Sequence, residues 1–203
     1  MYLNWSTPNY YSSRLIGSYG ENEGDYASET NSFDYLSLYD TEPFSSDMDK
    51  PTVYFKENHD RLLKFDVLWL LADQLLVSQR FKNLLEGLTN SAIEYIEPTA
   101  VYTSGNTELK DYYIIKLLDN VSAIDHEKST AVYSDDNHFL YYDKRWFKKQ
   151  SNETMLLARE ALSKEIVITQ DLADKLLTLD IKVYSGFGFY TLNPLTEYKK
   201  KRK

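Results

Sequence analysis

Cysteine is absent from the 203-residue chain. That absence removes disulfides, thiolate metal sites, lipidated cysteines and cysteine nucleophiles together. Glycine is scarce: the seven residues are scattered, and the GFG at Gly186 to Gly188 leads into no helical pattern, so no phosphate-cradling loop is present. No G-x-S-x-G nucleophile elbow occurs. Histidine is limited to His59, His126 and His138, and no H-x-x-x-H or H-E-x-x-H spacing links them as metal ligands. Long apolar runs are missing too. The nearest, LLKFDVLWLLADQLLV, is interrupted by Lys64, Asp66, Asp73 and Gln74, which makes it a poor membrane span. The opening MYLNWSTPNYYSSR has no basic stretch ahead of an apolar one, so no secretory signal is expected. These absences together predict a cytoplasmic protein with no membrane association and no cofactor.

What is present is a soluble composition, 42% hydrophobic and 27% charged, in a chain long enough for one domain with a sizeable core. The charge is unevenly spread. Of the net −8, the first fifty residues carry −7, with nine acids against Arg14 and Lys50. The same fifty hold seven of the 18 tyrosines. The opposite end is the basic run KKKRK, Lys199 to Lys203. An acidic body repels phosphate backbones and draws basic partners inward, so direct nucleic-acid binding is not expected.

These shifts divide the chain into an acidic, tyrosine-rich irregular segment (1–50), an α+β body (51–198) and the basic tail (199–203). Residues 6–50 are rich in Ser, Asn, Gly, Asp and Glu and lack periodicity. Within them FDYLSLY, Phe33 to Tyr39, is apolar enough to dock on a core. TVYF, Thr52 to Phe55, reads as a strand. Two later segments share one plan. Leu75 to Pro98 and Glu165 to Tyr190 each run from a β-branched stretch to a hydroxyl residue, Ser78 or Thr169, placed to cap a helix. Phe81, Leu84, Leu85 and Leu88 form the apolar helix face in the first, and Leu172, Leu176, Leu177 and Leu179 in the second. Each then returns to an extended segment, AIEYIEP or IKVYSGFGFY. Between them YYIIKLL, SAID and HFLYYDKRWF are strand-like, whereas ETMLLAREAL suits either a helix by propensity or a hairpin strand by its place before EIVIT.

The stretch YYIIKLLDNVSAIDHEKS carries the sharpest chemical question, because an apolar strand ends on Asp125, His126 and Glu127. Neighbours on a strand point to opposite faces, so the three do not converge on one metal or substrate. A turn explains them better: the Asp125 carboxylate accepts backbone N–H groups of the residues that follow, and Ser129 completes the turn. The rival reading is a small hydrolase or transferase using Asp125, His126 and His138.

The order LLVSQRFKNLLEG, AIEYIEP, YYIIKLLDNVSAIDHEKS, EIVITQDLADKLL and GFGFY resembles the immunity proteins of bacterial polymorphic-toxin systems, in the group numbered eleven, with group forty-three as a relative. Val77, Ser78, Phe81, Tyr112, Tyr113, Ile124, Asp125, Ser129, Ile168 and Thr169 occupy the places of that pattern, over roughly residues 60–190. The resemblance implies a non-enzymatic protein that neutralises a cognate toxin, with Asp125 and Ser129 as a structural turn. A basic toxin, such as a nuclease, would be met by the acidic segment, with Tyr19, Glu21, Glu23, Asp25, Tyr26, Asp34, Tyr35, Tyr39 and Asp40 as partner-binding residues. The expected fold is a single α+β domain: a mixed, mainly antiparallel sheet, two or more covering helices, and the irregular N-terminal segment laid over it.

Overall fold

The computed structural model describes residues 1–20, 33–45, 47–148, 155–192 and 196–198. In chain order the early strands are β1 (Tyr2–Trp5), β2 (Ile16–Gly17) and β3 (Thr52–Tyr54), followed by the short helix α1 (His59–Leu62). Next come β4 (Val67–Leu70), β5 (Gln74–Ser78), helix α2 (Gln79–Glu86), β6 (Ile93–Ile96), β7 (Ala100–Tyr102) and β8 (Tyr112–Leu117). The remainder holds β9 (Asn120–Val121), β10 (Thr130–Tyr133), β11 (Phe139–Lys144), β12 (Leu157–Glu160) and β13 (Ile166–Thr169). Helix α3 (Gln170–Leu176), β14 (Phe189–Thr191) and β15 (Thr196–Glu197) close it. The fold is α+β, with mixed sheets that are mainly antiparallel.

Two large sheets dominate, one ordered β2-β4-β5-β8-β6 and the other β9-β12-β13-β1-β14-β15. They follow one plan. A hairpin (β4–β5 or β12–β13) runs into a helix (α2 or α3), and the strand after the helix returns to the same sheet. In each sheet one antiparallel strand fills the slot between, β8 in the first and β1 in the second. Even the outer strands correspond, since β2 lies parallel to β4 and β9 parallel to β12. The duplicated strand–helix–strand pattern in the sequence is therefore a duplication of whole sheets. The slot filled by β1 is a correction to the sequence reading. Tyr2–Trp5 falls in the segment read as irregular, yet it is a fully buried strand inside the second sheet.

The first sheet is covered on both faces, which is why its strands read as unbroken apolar runs. Val67, Trp69, Leu75, Val77, Ile115 and Leu117 point into a core shared with the second sheet and with Phe81, Leu85, Leu172 and Leu176 of the two helices. The alternate residues Leu68, Leu70, Leu76, Ile96 and Ile114 form a second core under Leu15, Tyr19, Phe33 and Leu38. At the centre of the first core Trp5 meets Phe189 and Trp69 edge-on, with centroids 5.2 and 6.5 Å away, and its indole N–H donates to the Phe187 carbonyl at 2.7 Å. Truncating a ring such as Phe81 to alanine here would remove about 3–5 kcal/mol.

The helix starts differ. The Ser78 hydroxyl accepts the N–H of Phe81 at 3.2 Å and donates to Asp66 at 2.8 Å, capping α2 as its sequence suggests. Thr169 makes no such cap; its hydroxyl accepts the N–H of Leu156 at 3.0 Å, serving the adjoining strand pair. The ETMLLAREAL segment resolves as strand over Leu157–Glu160, antiparallel to β13. Cross-strand burial overrides its helix propensity. Before β14 the chain turns at Gly188, whose φ of +77° and 1.9 Å clearance between an added Cβ and the Ser6 carbonyl leave room for hydrogen alone.

Candidate partner-binding surface

Ala123 and Ile124 are wholly buried, so the chain enters the next turn from a fixed point. There the Asp125 carbonyl accepts the N–H groups of Lys128 and Ser129, at 3.2 and 2.9 Å. The Asp125 carboxylate bonds the Lys128 ammonium and receives backbone N–H groups of Lys128 and Glu127. The Lys128 side-chain bond is the main reason its pKa lies below the ordinary carboxylate value. The same turn holds a distant residue. The Asp125 N–H donates to the Trp146 carbonyl at 2.7 Å, and the Trp146 N–H donates to the Ser129 hydroxyl at 2.9 Å. Asp125 and Ser129 thus stand together as a clamp on the backbone of Trp146.

The histidines of the catalytic alternative stand elsewhere. His126 is exposed and faces the Ser122 hydroxyl at 3.4 Å, and His138 lies at the tip of the β10–β11 hairpin, its N–H donating to the Ser134 hydroxyl at 3.1 Å. No hydrogen bond joins Asp125, His126 and His138, and among the described residues no three His, Asp or Glu side chains gather as a metal-holding group.

The acidic segment is more deeply engaged with the body than its composition suggests. Glu21, Glu23, Asp25 and Tyr26 lie outside the described residues. Tyr19 is buried in the second core, with Tyr35 stacked on it at a ring separation of 6.1 Å. Tyr19 is therefore a core residue and not a free anchor, a correction to its reading as a binding residue. Tyr39 is half-buried: its hydroxyl donates to the Ala72 carbonyl, and its ring lies 4.5 Å from the Arg159 guanidinium. Two buried cations hold this layer. Lys116 donates to the Ser37 carbonyl at 2.7 Å, and its pKa is pushed down by burial against the opposing pull of Glu94, Asp40 and Glu42. Arg159 donates to the Gln74 side-chain carbonyl at 2.7 Å and to the Lys164 carbonyl at 2.5 Å, and burial pushes its pKa down to about 10. The side chains the segment leaves outward include the acids Asp34, which accepts the N–H of Leu36 at 2.9 Å, Asp40, Glu42, Asp47 and Asp49, along with Tyr10, Leu36 and Met48.

The surface that sequence reasoning missed is the β10–β11 hairpin. Among the described residues β10 and β11 pair only with each other, and Phe139 packs against Tyr133 and Tyr142 at centroid separations of 6.0 and 4.9 Å. The signal was available in HFLYYDKRWF. Aromatic side chains at consecutive positions of a strand mark both faces, and a two-stranded ribbon can cover only one.

The described polar motif residues thus shape a surface on an α+β scaffold whose chain reversals are locked from within. A family profile described as Immunity protein family (Imm11) matches residues 10–183, and the chain belongs to that family. The matched span starts after β1 and stops before β14. A search of curated proteins finds no match. Membership assigns the chain a toxin-neutralising immunity role. No helix among the described residues is long and apolar enough to cross a membrane.

Proposed function

We propose that the protein neutralises its cognate toxin by forming a stoichiometric complex in the cytoplasm, with no chemical step of its own. The family match over residues 10–183 carries this reading. The geometry supports it: Asp125 serves Lys128 and the Trp146 backbone, the His126 ring faces the Ser122 hydroxyl, and His138 contributes its backbone N–H to the Ser134 hydroxyl in the hairpin turn. The partner is a basic protein domain, drawn by the excess negative charge of which Asp34, Asp40, Glu42, Asp47 and Asp49 form the described part. Glu21, Glu23 and Asp25 add to the same field.

Titrating toxin activity against this protein tests the mechanism. A stoichiometric inhibitor gives a linear fall with a break at one equivalent, and co-expression rescues growth against that toxin alone. An enzyme that disarms the toxin or its product would instead inactivate an excess, and that outcome would return attention to Asp125, His126 and His138. Raising the salt concentration should slow association and leave dissociation nearly unchanged, because steering acts on encounter.

A further inference from the structure

We infer that the β10–β11 hairpin, with Trp146 at its foot, is the face that seats in the toxin, in a groove with an apolar floor and a cationic rim. This rests on the immunity reading above and adds where and how the toxin is gripped.

The first observation is exposure. Tyr133, Leu140, Tyr141 and Trp146 remain 49%, 54%, 57% and 40% exposed, on one ribbon and its immediate continuation. Exposed large side chains scattered singly need no explanation, but a group on one short element marks an interaction surface. Tyr and Trp are also the residue types that dominate binding energy in interfaces. By contrast, two tyrosines of the acidic segment that lie near its acids are committed inward, Tyr19 to the second core and Tyr39 to Arg159 and Ala72, while Tyr10 stands exposed by itself.

The second observation is charge. At the foot of the hairpin Lys128 is paired with Asp125 and Arg145 with Glu165, Lys148 is held by the Ser122 carbonyl at 2.7 Å, and Lys144 on β11 stands exposed beside Asp143. Asp135 and Asp136 at the tip and Asp143 on β11 make no ion pair among the described residues. The hairpin therefore presents an aromatic centre with a free acidic border, and its complement is an apolar floor edged by Lys or Arg.

The third observation is the mode of contact. The ladder shifts register twice, between Thr130 and Ala131 and between Val132 and Tyr133, so its edges are irregular. Such bulges disfavour strand addition. Side chains, not backbone pairing, must make the contact. They are held firmly enough to do so, because the Asp125–Ser129 turn fixes Trp146 and the Arg145–Glu165 pair ties the ribbon to the start of β13.

The experiment measures binding kinetics of the full-length protein with the purified toxic C-terminal domain encoded by the gene beside its own. Five proteins are compared: the natural chain, Tyr141→Ala/Trp146→Ala, Asp34→Lys/Asp40→Lys/Glu42→Lys, Ser129→Ala and Ser129→Thr. Thermal unfolding is recorded for each. The inference expects the aromatic double variant to lose about 100-fold in affinity through faster dissociation, with its unfolding midpoint retained. The charge variant should lose about tenfold or less, mainly in association. Ser129→Ala should weaken binding by releasing Trp146, and Ser129→Thr, which keeps the hydroxyl, should restore it. If the double variant unfolds, Tyr141→Glu alone supplies the test, since Tyr141 is the most exposed of the group. A folded aromatic variant that binds like the natural chain overturns the inference while leaving the immunity reading intact. Failure of the natural chain to bind overturns that reading itself.

Discussion

Arg159 offers the sharpest energetic test of how the two sheets and the N-terminal layer are joined. It rises from β12 of one sheet, bonds Gln74 on β5 of the other, and lies against Tyr39 of the overlying segment. The side chain is 1% exposed and Gln74 is fully buried. Arg159→Met strands two acceptors, the buried Gln74 side-chain oxygen and the part-buried Lys164 carbonyl, at roughly 1–3 kcal/mol each, the second toward the lower end. The lost ring contact adds roughly 1–2 kcal/mol. Against this, removing the cation relieves a desolvation penalty of several kcal/mol. The net expectation is a loss of about 3 kcal/mol, or about 6–12 °C in unfolding temperature for a domain of this size. Gln74→Leu should also destabilise, because it strands the guanidinium. Combining Arg159→Met with Gln74→Leu removes both partners at once, so the double variant should be more stable than the sum of the singles by about 1.5–3 kcal/mol. Urea unfolding followed through the buried Trp5 and Trp69 would measure this. Additivity within about 0.5 kcal/mol would show that the pair is not coupled and refute the clamp.

Other outcomes follow from burial and backbone geometry. Burial raises the phenol pKa values of Tyr11, Tyr95 and Tyr112 above the ordinary 10.0, and that of Tyr142 to about 12. Unfolded tyrosines release protons that the folded protein keeps, so stability is intact below about pH 10 and falls as pH climbs toward 12. The urea midpoint should drop over that range, with tyrosinate absorbance rising at unfolding; independent titration of all tyrosines near their ordinary value in a folded chain would contradict it. Gly188→Ala should prevent normal folding or cost several kcal/mol, because the new Cβ would overlap the Ser6 carbonyl. Gly105→Ala, with nothing within 4 Å of its Cβ but a φ of +93°, should cost only about 1–2 kcal/mol. Equal effects of the two changes by thermal unfolding would mean that the Ser6 contact is not as described.

Much of the fold was legible because it rests on local pattern. The β5–α2 and β13–α3 junctions could be read from β-branched runs meeting a hydroxyl residue, and the docking of FDYLSLY from its apolar spacing. The structure places Tyr35–Tyr39 in a 3₁₀ helix beneath which Leu38 is fully buried. The turn at Asp125 and Ser129 was also visible from residue type. What escaped depends on partners far along the chain. YLNW is too short and too polar in its surroundings to announce a strand, and its pairing with Val167 to Thr169 on one side and with Phe189 and Tyr190 on the other makes it one. Acidic composition hid the inward commitment of Tyr19 and Tyr39, since a charge count does not say which way a ring points. Nothing in residue type marks Arg159 and Lys116 as buried; their burial follows from strand register. For the hairpin, the consecutive aromatics of HFLYYDKRWF carried a signal, but their exposure depends on whether a third strand joins.

The place of β1 has a consequence for biosynthesis. Trp5 bonds Phe187, 182 positions later, and Ser6 and Gly188 are joined by backbone. On a ribosome adding about 5–20 residues per second, the first strand waits roughly 10–40 s for its neighbours. The first sheet suffers no such delay, as its strands β4, β5, β6 and β8 all lie within residues 67–117. One half of the molecule can thus condense while still being translated, whereas its counterpart stays open, apolar strands unpaired, until β13 and β14 have been made. The interval is a window for chaperones, proteases and aggregation, and its length is set by topology and not by stability.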